Sequence, residues 1–401
     1  MYLKFQSVSR PVLLAKGLKL LPHLARQFAK WPFREVSGKG HGDPLINVLH
    51  DGGSGIVQAP WAEPEQRYQT AAELACSLPY HMTRCWMEET MAVVGVSAAA
   101  ARFGNDLAVF VGGPQSGKSL LLSCLSVSGH TAFADSILPI SAATREGVGL
   151  GVAPRLKLPL PKEFAGPLRT RVEQCIDRCV PGLGYLRPHQ AAMAAFGDRA
   201  PIGAFVLLDR ADGSATALRP AAASTLLKRL LLGSFDALPS ARTTLSLLHE
   251  MVAETPCYRL TWSDPQEAVS ALRARLAIRR PAESSSDSCA GARVTVLRRR
   301  ASGPRAPAGR RFRRVEGLDE RAVDSDVFLV GPNGEAVYHL NGLGTGLWRL
   351  LDGSYGLDDA VSVLGEAFPT VDRTLIEDDV TRLIADLTDR GLLVEQPGDT
   401  G

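Results

Sequence analysis

Residues Gly112-Gly113-Pro114-Gln115-Ser116-Gly117-Lys118-Ser119 fit the pattern G-x-x-x-x-G-K-[ST] in full, and they are the segment of this 401-residue chain whose types and spacing most directly specify a chemistry. A loop that wraps a polyphosphate must turn its N–H groups inward, which the three glycines permit, and the positive end of a following helix faces the same anion. In such a loop Lys118 reaches the β and γ phosphates, the Ser119 hydroxyl holds Mg²⁺, and Leu120 opens the helix. The implied ligands are ATP and Mg²⁺.

The flanking residues predict the elements that position this loop. The apolar run Leu107 to Val111 precedes it as a strand, and Leu120 to Leu125 follows as a helix. Phosphoryl transfer needs, besides the cradle, a carboxylate to orient and deprotonate an acceptor. Asp135 closes the next predicted strand and is the candidate for that base, with a helix cap or turn as the bland alternative. Asp209 ends the apolar run Ala204 to Leu208 and reads equally as an Mg²⁺-side Asp or a strand-end turn residue. Arg155 reads equally as a donor of positive charge to the transferring phosphoryl group and as a surface Arg beside Pro154.

Composition constrains less. With 45% hydrophobic and 22% charged residues the chain can bury a real core, and a formal charge of +3 is too small to argue for nucleic acid. The seven cysteines form no C-x-x-C pair, so neither a disulfide framework nor a zinc site is suggested, and a cytoplasmic location fits. From Arg10 to Phe33 leucines alternate with lysines and arginines. No run there reaches the length of a membrane span, which leaves a helix packed on the next domain or a basic amphipathic helix on a membrane surface.

Along the chain, residues 1–90 form a lead-in without an assignable motif. Residues 91–278 alternate short apolar runs with helical patterns such as Ser224 to Leu232 and Pro265 to Leu276, which predicts an α/β layer. Residues 279–309, rich in Arg, Pro and Ser, read as a flexible linker. Residues 310–396 read as strands followed by helices: a hairpin of 326–330 and 336–340 around Gly331-Pro332-Asn333-Gly334, two short helices, and a long one from Val371 to Arg390. Leu375, Ile376, Val380, Leu383, Ile384 and Leu387 recur at helical spacing in that last helix as its apolar side. The fold class predicted is an α/β P-loop kinase-like domain plus a small α+β winged-helix domain.

The C-terminal domain, through Tyr338-His339-Leu340-Asn341, Trp348 to Gly353 and Glu377-Asp378-Asp379-Val380, resembles the PqqD-like modules that recognise leader segments of ribosomally made, modified peptides. That resemblance implies that a leader adds as a strand along Val337, Tyr338, His339 and Leu340 and lies against Arg373, Glu377, Asp378 and Arg382 of the last helix. So acidic a helix would repel phosphates, which argues against nucleic acid as a partner.

The stretch from about 92 to 276 resembles the HPr serine kinase family through its P-loop, Gly129 to Ile140, Val152 to Pro159 and Cys257 to Trp262. The sequence departs from that family at Ser136, where a second Asp is expected, in the absence of an extra loop glycine, and at Ser97, in the neighbourhood where the family has a His. Together the two resemblances imply an ATP-dependent kinase acting on a Ser or Thr hydroxyl of a precursor peptide held by its leader. The alternative is a nucleotide-binding scaffold that presents the peptide to other modifying enzymes.

Overall fold

The computed structural model describes residues 1–401 apart from 16–20, 38–42, 45, 51–53, 63–66, 91, 181, 188–191, 237–239, 277–310, 352–355, 368 and 397–401. The expected linker, 279–309, lies outside the described residues.

The first ninety residues build a sheet. Strands β1 (Tyr2–Phe5), β2 (Val12–Ala15), β3 (Phe33–Val36), β4 (Ile46–His50), β5 (Gly55–Gln58) and β6 (Arg67–Tyr68) pair in the order β3-β1-β2-β4-β5-β6. Helices α1 (Leu21–Gln27) and α2 (Ala71–Thr90) accompany it. The helix expected over Arg10 to Phe33 forms only over Leu21–Gln27 among the described residues, whereas Val12–Ala15 alternates buried and half-buried positions and pairs as a strand with β1 and β4. Leu3, Phe5, Leu14, Phe28 and Trp31 close its core together with Leu78, Met82 and Trp86 of α2.

A larger sheet follows, built from β7 (Val93–Val96), β8 (Ala98–Phe103), β9 (Asp106–Val111), β10 (Thr131–Ala134), β11 (Leu138–Ser141) and β12 (Glu146–Val148). It continues with β16 (Arg199–Arg210), β17 (Ala217–Pro220), β18 (Ser234–Asp236) and β19 (Cys257–Trp262). Its main order is β10-β8-β9-β16-β12-β11-β7-β18, with β19 on β16 and β17 on β19. The strands β9, β16 and β19 run parallel. Every position of β9 from Leu107 to Val111 is buried, so both of its faces are covered, which is why this stretch is an unbroken apolar run rather than an alternating one.

Helix α3 (Lys118–Val127) packs on this sheet with Leu120 to Ser126 all buried. A three-stranded sheet of β13 (Arg155–Lys157), β14 (Ile176–Val180) and β15 (Leu183–Leu186) stands beside α4 (Gly166–Cys175). Helices α5 (Ala223–Leu232), α6 (Ala241–Glu254) and α7 (Pro265–Leu276) complete the middle of the chain.

At the C-terminal end, β20 (Phe312–Arg314) pairs with β24 (Leu393–Glu395), and β21 (Asp319–Val323), β22 (Asp326–Val330) and β23 (Val337–Leu340) form a sheet in that order. Helices α8 (Gly342–Leu350), α9 (Leu357–Ala367) and α10 (Arg373–Asp389) lie between β23 and β24. Asn341 caps α8 by accepting from the Gly344 N–H at 3.0 Å, and Asp372 caps α10 by accepting from that of Thr374 at 2.8 Å. Trp348, Leu351, Ile384 and Leu387 are fully buried in the core beneath.

By its internal packing the chain divides into two units, and α5 with most of α6 belongs to the C-terminal one. In that unit the Ser224 N–H donates to Asp324 at 2.9 Å, Arg321 donates to the Ser246 hydroxyl at 2.6 Å, and Arg242 donates to the Gly317 carbonyl at 3.1 Å. Among the described residues no helix is long and apolar enough to cross a membrane.

The first unit holds a buried histidine. Trp61 Nε1 donates to His81 Nδ1 at 3.2 Å, and the Tyr68 hydroxyl lies 3.3 Å from Nε2. Burial holds the imidazole neutral, with its pKa down at about 4. An unfolded chain, titrating near pH 6.5, takes up the proton first, so this histidine adds stability above about pH 6.5 that is lost as pH falls through about 4, on the order of 3 kcal/mol. Denaturant melts of wild type and His81→Gln across this range are expected to show the wild type losing about that much more; parallel curves would refute the assignment.

Candidate phosphoryl-transfer site and peptide groove

Gly112 to Ser119 runs from the end of β9 into the first turn of α3, so the loop sits at the C-terminal end of a parallel strand with a helix N-terminus behind it. Gly117, the residue before α3, has φ +85°, and no side chain caps the helix there, which leaves its first amides facing the loop. A Cβ on Gly117 would lie 2.4 Å from the Trp262 ring, and one on Gly112 would lie 2.5 Å from the Ser116 hydroxyl. Gln115 also takes a left-handed φ of +63°, two residues before Gly117.

The Lys118 ammonium points into the loop, donating to the carbonyls of Gly112 at 2.8 Å and Gly113 at 3.0 Å. Ser119 turns the other way and donates its hydroxyl to Asp135 Oδ1 at 2.8 Å. The second oxygen of Asp135 accepts from the Arg155 backbone N–H at 2.9 Å. Asp135 is 7% exposed, so this carboxylate joins the start of α3, the end of β10 and the start of β13 in a nearly dry setting. Next to it Ser136 has φ +75°, which turns the chain sharply after β10.

A cavity of about 280 Å³ opens beside Asp135, with Arg155, Ser97, Cys76, Pro79 and Tyr80 on its walls. The Arg155 guanidinium donates to the Cys76 carbonyl at 2.9 Å, tying β13 to α2. Sequence patterning missed the contribution of α2, since nothing local to residues 76–80 marks them as neighbours of Asp135. Ser97, in the neighbourhood where a histidine was expected, does reach the same space.

Of the remaining candidates, Asp209 stands two residues past Leu207, the partner of Val111 at the end of the loop strand. Its carboxylate pairs with Arg259 at 3.4 Å, and both side chains are about half exposed. Asp135 is thus the carboxylate that contacts Ser119. An alcohol oxygen beside a carboxylate is a hard donor set that suits Mg²⁺, which keeps several waters and needs few protein ligands. Among the described residues no cluster of three or more His, Cys, Asp or Glu suits a metal ion.

In the C-terminal unit a cavity of about 490 Å³ lies between α8 and α10, floored by His339 and Leu340 of β23. Strand β23 pairs only with β22 among the described residues, so one edge of the sheet is unpaired. Leu343 and Leu375, each 54% exposed, and Val371, 41% exposed, line the cavity. Leu375 is therefore a groove residue rather than part of the core. The His339 Nε2–H donates to Asp326 at 2.7 Å, and its pKa is lowered by burial and by the nearby Lys228 ammonium against the raising effect of that carboxylate.

Of the residues expected along the groove, His339, Leu340 and Arg382 line it, with Arg382 paired to Asp379 at 3.1 Å. Val337 and Tyr338 lie on the same strand without lining the cavity, and Arg390 stacks over the Tyr338 ring at 5.3 Å. Arg373 and Glu377 are exposed on α10 outside it.

Residues 326–393 match the family described as coenzyme PQQ synthesis protein D (PqqD). No curated protein matches the chain. Among solved structures the chain is similar to TbiB1 in complex with the TbiA(beta) leader peptide, at 21% identity over 20% of this chain and 93% of that one, with a TM-score of 0.19. It is also similar to the Hpr(Ser) kinase/phosphatase from Coxiella burnetii, at 12% identity over 45% of this chain and 94% of that one, with a TM-score of 0.24. The C-terminal segment is PqqD-like, and the chain as a whole is a mixed α/β protein.

Gly117→Ala is expected to lose about 2 kcal/mol or more in denaturant melts, from its left-handed backbone and the Trp262 contact together. Gly129→Ala, with φ +95° and open space around it, supplies the backbone cost alone. Equal losses in the two variants would show that Trp262 does not constrain the loop.

Proposed function

We propose that the chain is an ATP-dependent kinase that phosphorylates a Ser or Thr hydroxyl of a ribosomally made precursor peptide, whose leader is held by the PqqD-like segment. The observation that carries the reading is the bond from Ser119 to Asp135 beside the cavity walled by α2 and Arg155. It joins a phosphate-binding pattern to a buried carboxylate with room next to it for an acceptor.

In this reading Gly112, Gly113, Gly117 and the first turn of α3 hold the polyphosphate, with Lys118 moving from the loop carbonyls to the β and γ phosphates. Ser119, with Asp135 or Asp209 beside it, would hold Mg²⁺, which would supply positive charge against those phosphates. Asp135 takes the acceptor's hydroxyl proton as that oxygen bonds to the γ phosphorus and the bond to the ADP oxygen breaks. Arg155 supplies positive charge at the cavity wall. The edge of β23 and the apolar cavity against α10 receive the leader as an added strand. Capture there raises the local concentration of the rest of the peptide at the transfer site.

The second reading, a nucleotide-binding scaffold without transfer, is favoured by Ser136 in place of a second acid and by the Lys118 ammonium bonded to its own loop. A single experiment separates them. Full-length protein, Mg-ATP and a precursor peptide are incubated and the peptide mass is followed. The kinase reading expects a gain of one phosphate, abolished in Lys118→Ala and lowered at least about a hundredfold in Asp135→Asn, with peptide binding retained in both. Binding without any mass gain would leave the scaffold reading.

A further inference from the structure

The groove between β23 and α10 has a wall that the PqqD-like segment does not supply. Lys228, on α5, lines the same cavity as His339, Leu340 and Leu375, although it lies almost a hundred residues before the matched stretch 326–393. Helix α5 is held in that unit by the Ser224 N–H bond to Asp324 in the turn between β21 and β22. Lys228 is close enough to His339 to push that imidazole's pKa down.

The charges around the cavity are unequally satisfied. Arg382 is paired with Asp379, and His339 with Asp326. Lys228 and Asp386 take part in no ion pair or hydrogen bond among the described residues. A half-buried ammonium beside exposed leucines is weakly screened, so an anion brought to it there gains more than it would on an open surface. An occupant that places a like charge at the same spot is rejected by a comparable amount.

Resting on the reading of this groove as a peptide site, we infer that Lys228 is a specificity-determining residue: it selects an extended peptide that carries an acidic side chain where the strand passes His339. Asp386, on the α10 side, favours a basic side chain elsewhere on the same strand. Two unlike charges carried by different helices fix the direction in which the strand lies as well as its register. The groove is then a composite of the PqqD-like segment and a helix that precedes it in the chain and packs in the same unit.

The test uses the full chain and fluorescein-labelled twelve-residue peptides of alternating Leu and Thr. One guest position, Glu, Gln or Lys, is scanned along them, and binding is read by fluorescence anisotropy. Wild type is expected to bind the Glu peptide about tenfold more tightly than its Lys counterpart at one guest position. Lys228→Ala should bring Glu down to the level of Gln, and Lys228→Glu should reverse the preference, with thermal midpoints unchanged. Equal binding of Glu, Gln and Lys peptides by wild type, or an unaltered preference in Lys228→Glu, overturns the inference and leaves the peptide site standing. No binding of any peptide up to millimolar concentration overturns the peptide site itself.

Discussion

The hydrogen bond from the Ser119 hydroxyl to the Asp135 carboxylate is the constraint on which the rest of the site depends. Both groups sit at points where an element begins or ends: Ser119 in the first turn of α3 and Asp135 just past β10. A carboxylate this buried is tolerated only when its oxygens are occupied, and the Arg155 N–H occupies the second. One side chain thereby fixes the loop helix, the strand end and the turn at Ser136 relative to one another. The cavity beside Asp135 follows from this junction, because Arg155 continues from it to the Cys76 carbonyl on α2.

The two units take part in different physics. Around the loop the important groups are amides, one ammonium, one hydroxyl and one carboxylate, all suited to a polyanion and a hard cation. Around β23 and α10 the surface is apolar, with an open strand edge and charges at its margin, which suits a peptide whose side chains alternate. A small-molecule kinase would have no use for the second surface, and a plain adaptor none for the first.

Much of this was readable from residue order. Leu107 to Val111 announced a covered strand because it is apolar at every position, and both of its faces are buried. The places of Lys118 and Ser119 at the start of a helix and of Asp135 just past a strand were legible because local order sets them. The first ninety residues were not legible, since strands of two to five residues offer too few alternations to outweigh a run of leucines and lysines. Leu375 looked like core because helical spacing reports a face without saying what covers it. Cys76, Tyr80 and Lys228 reach their sites only through tertiary packing, about 60 residues from Asp135 in one case and about 110 from His339 in the other, and no local pattern reports such a neighbour.

The most direct measurement is calorimetric titration of Mg-ATP into the full-length protein and into Ser119→Ala. The account predicts one site per chain in the wild type, with affinity that falls when Mg²⁺ is chelated, and a variant in which that dependence on Mg²⁺ disappears. Absence of nucleotide binding in the wild type, or binding indifferent to both Mg²⁺ and Ser119, would contradict it.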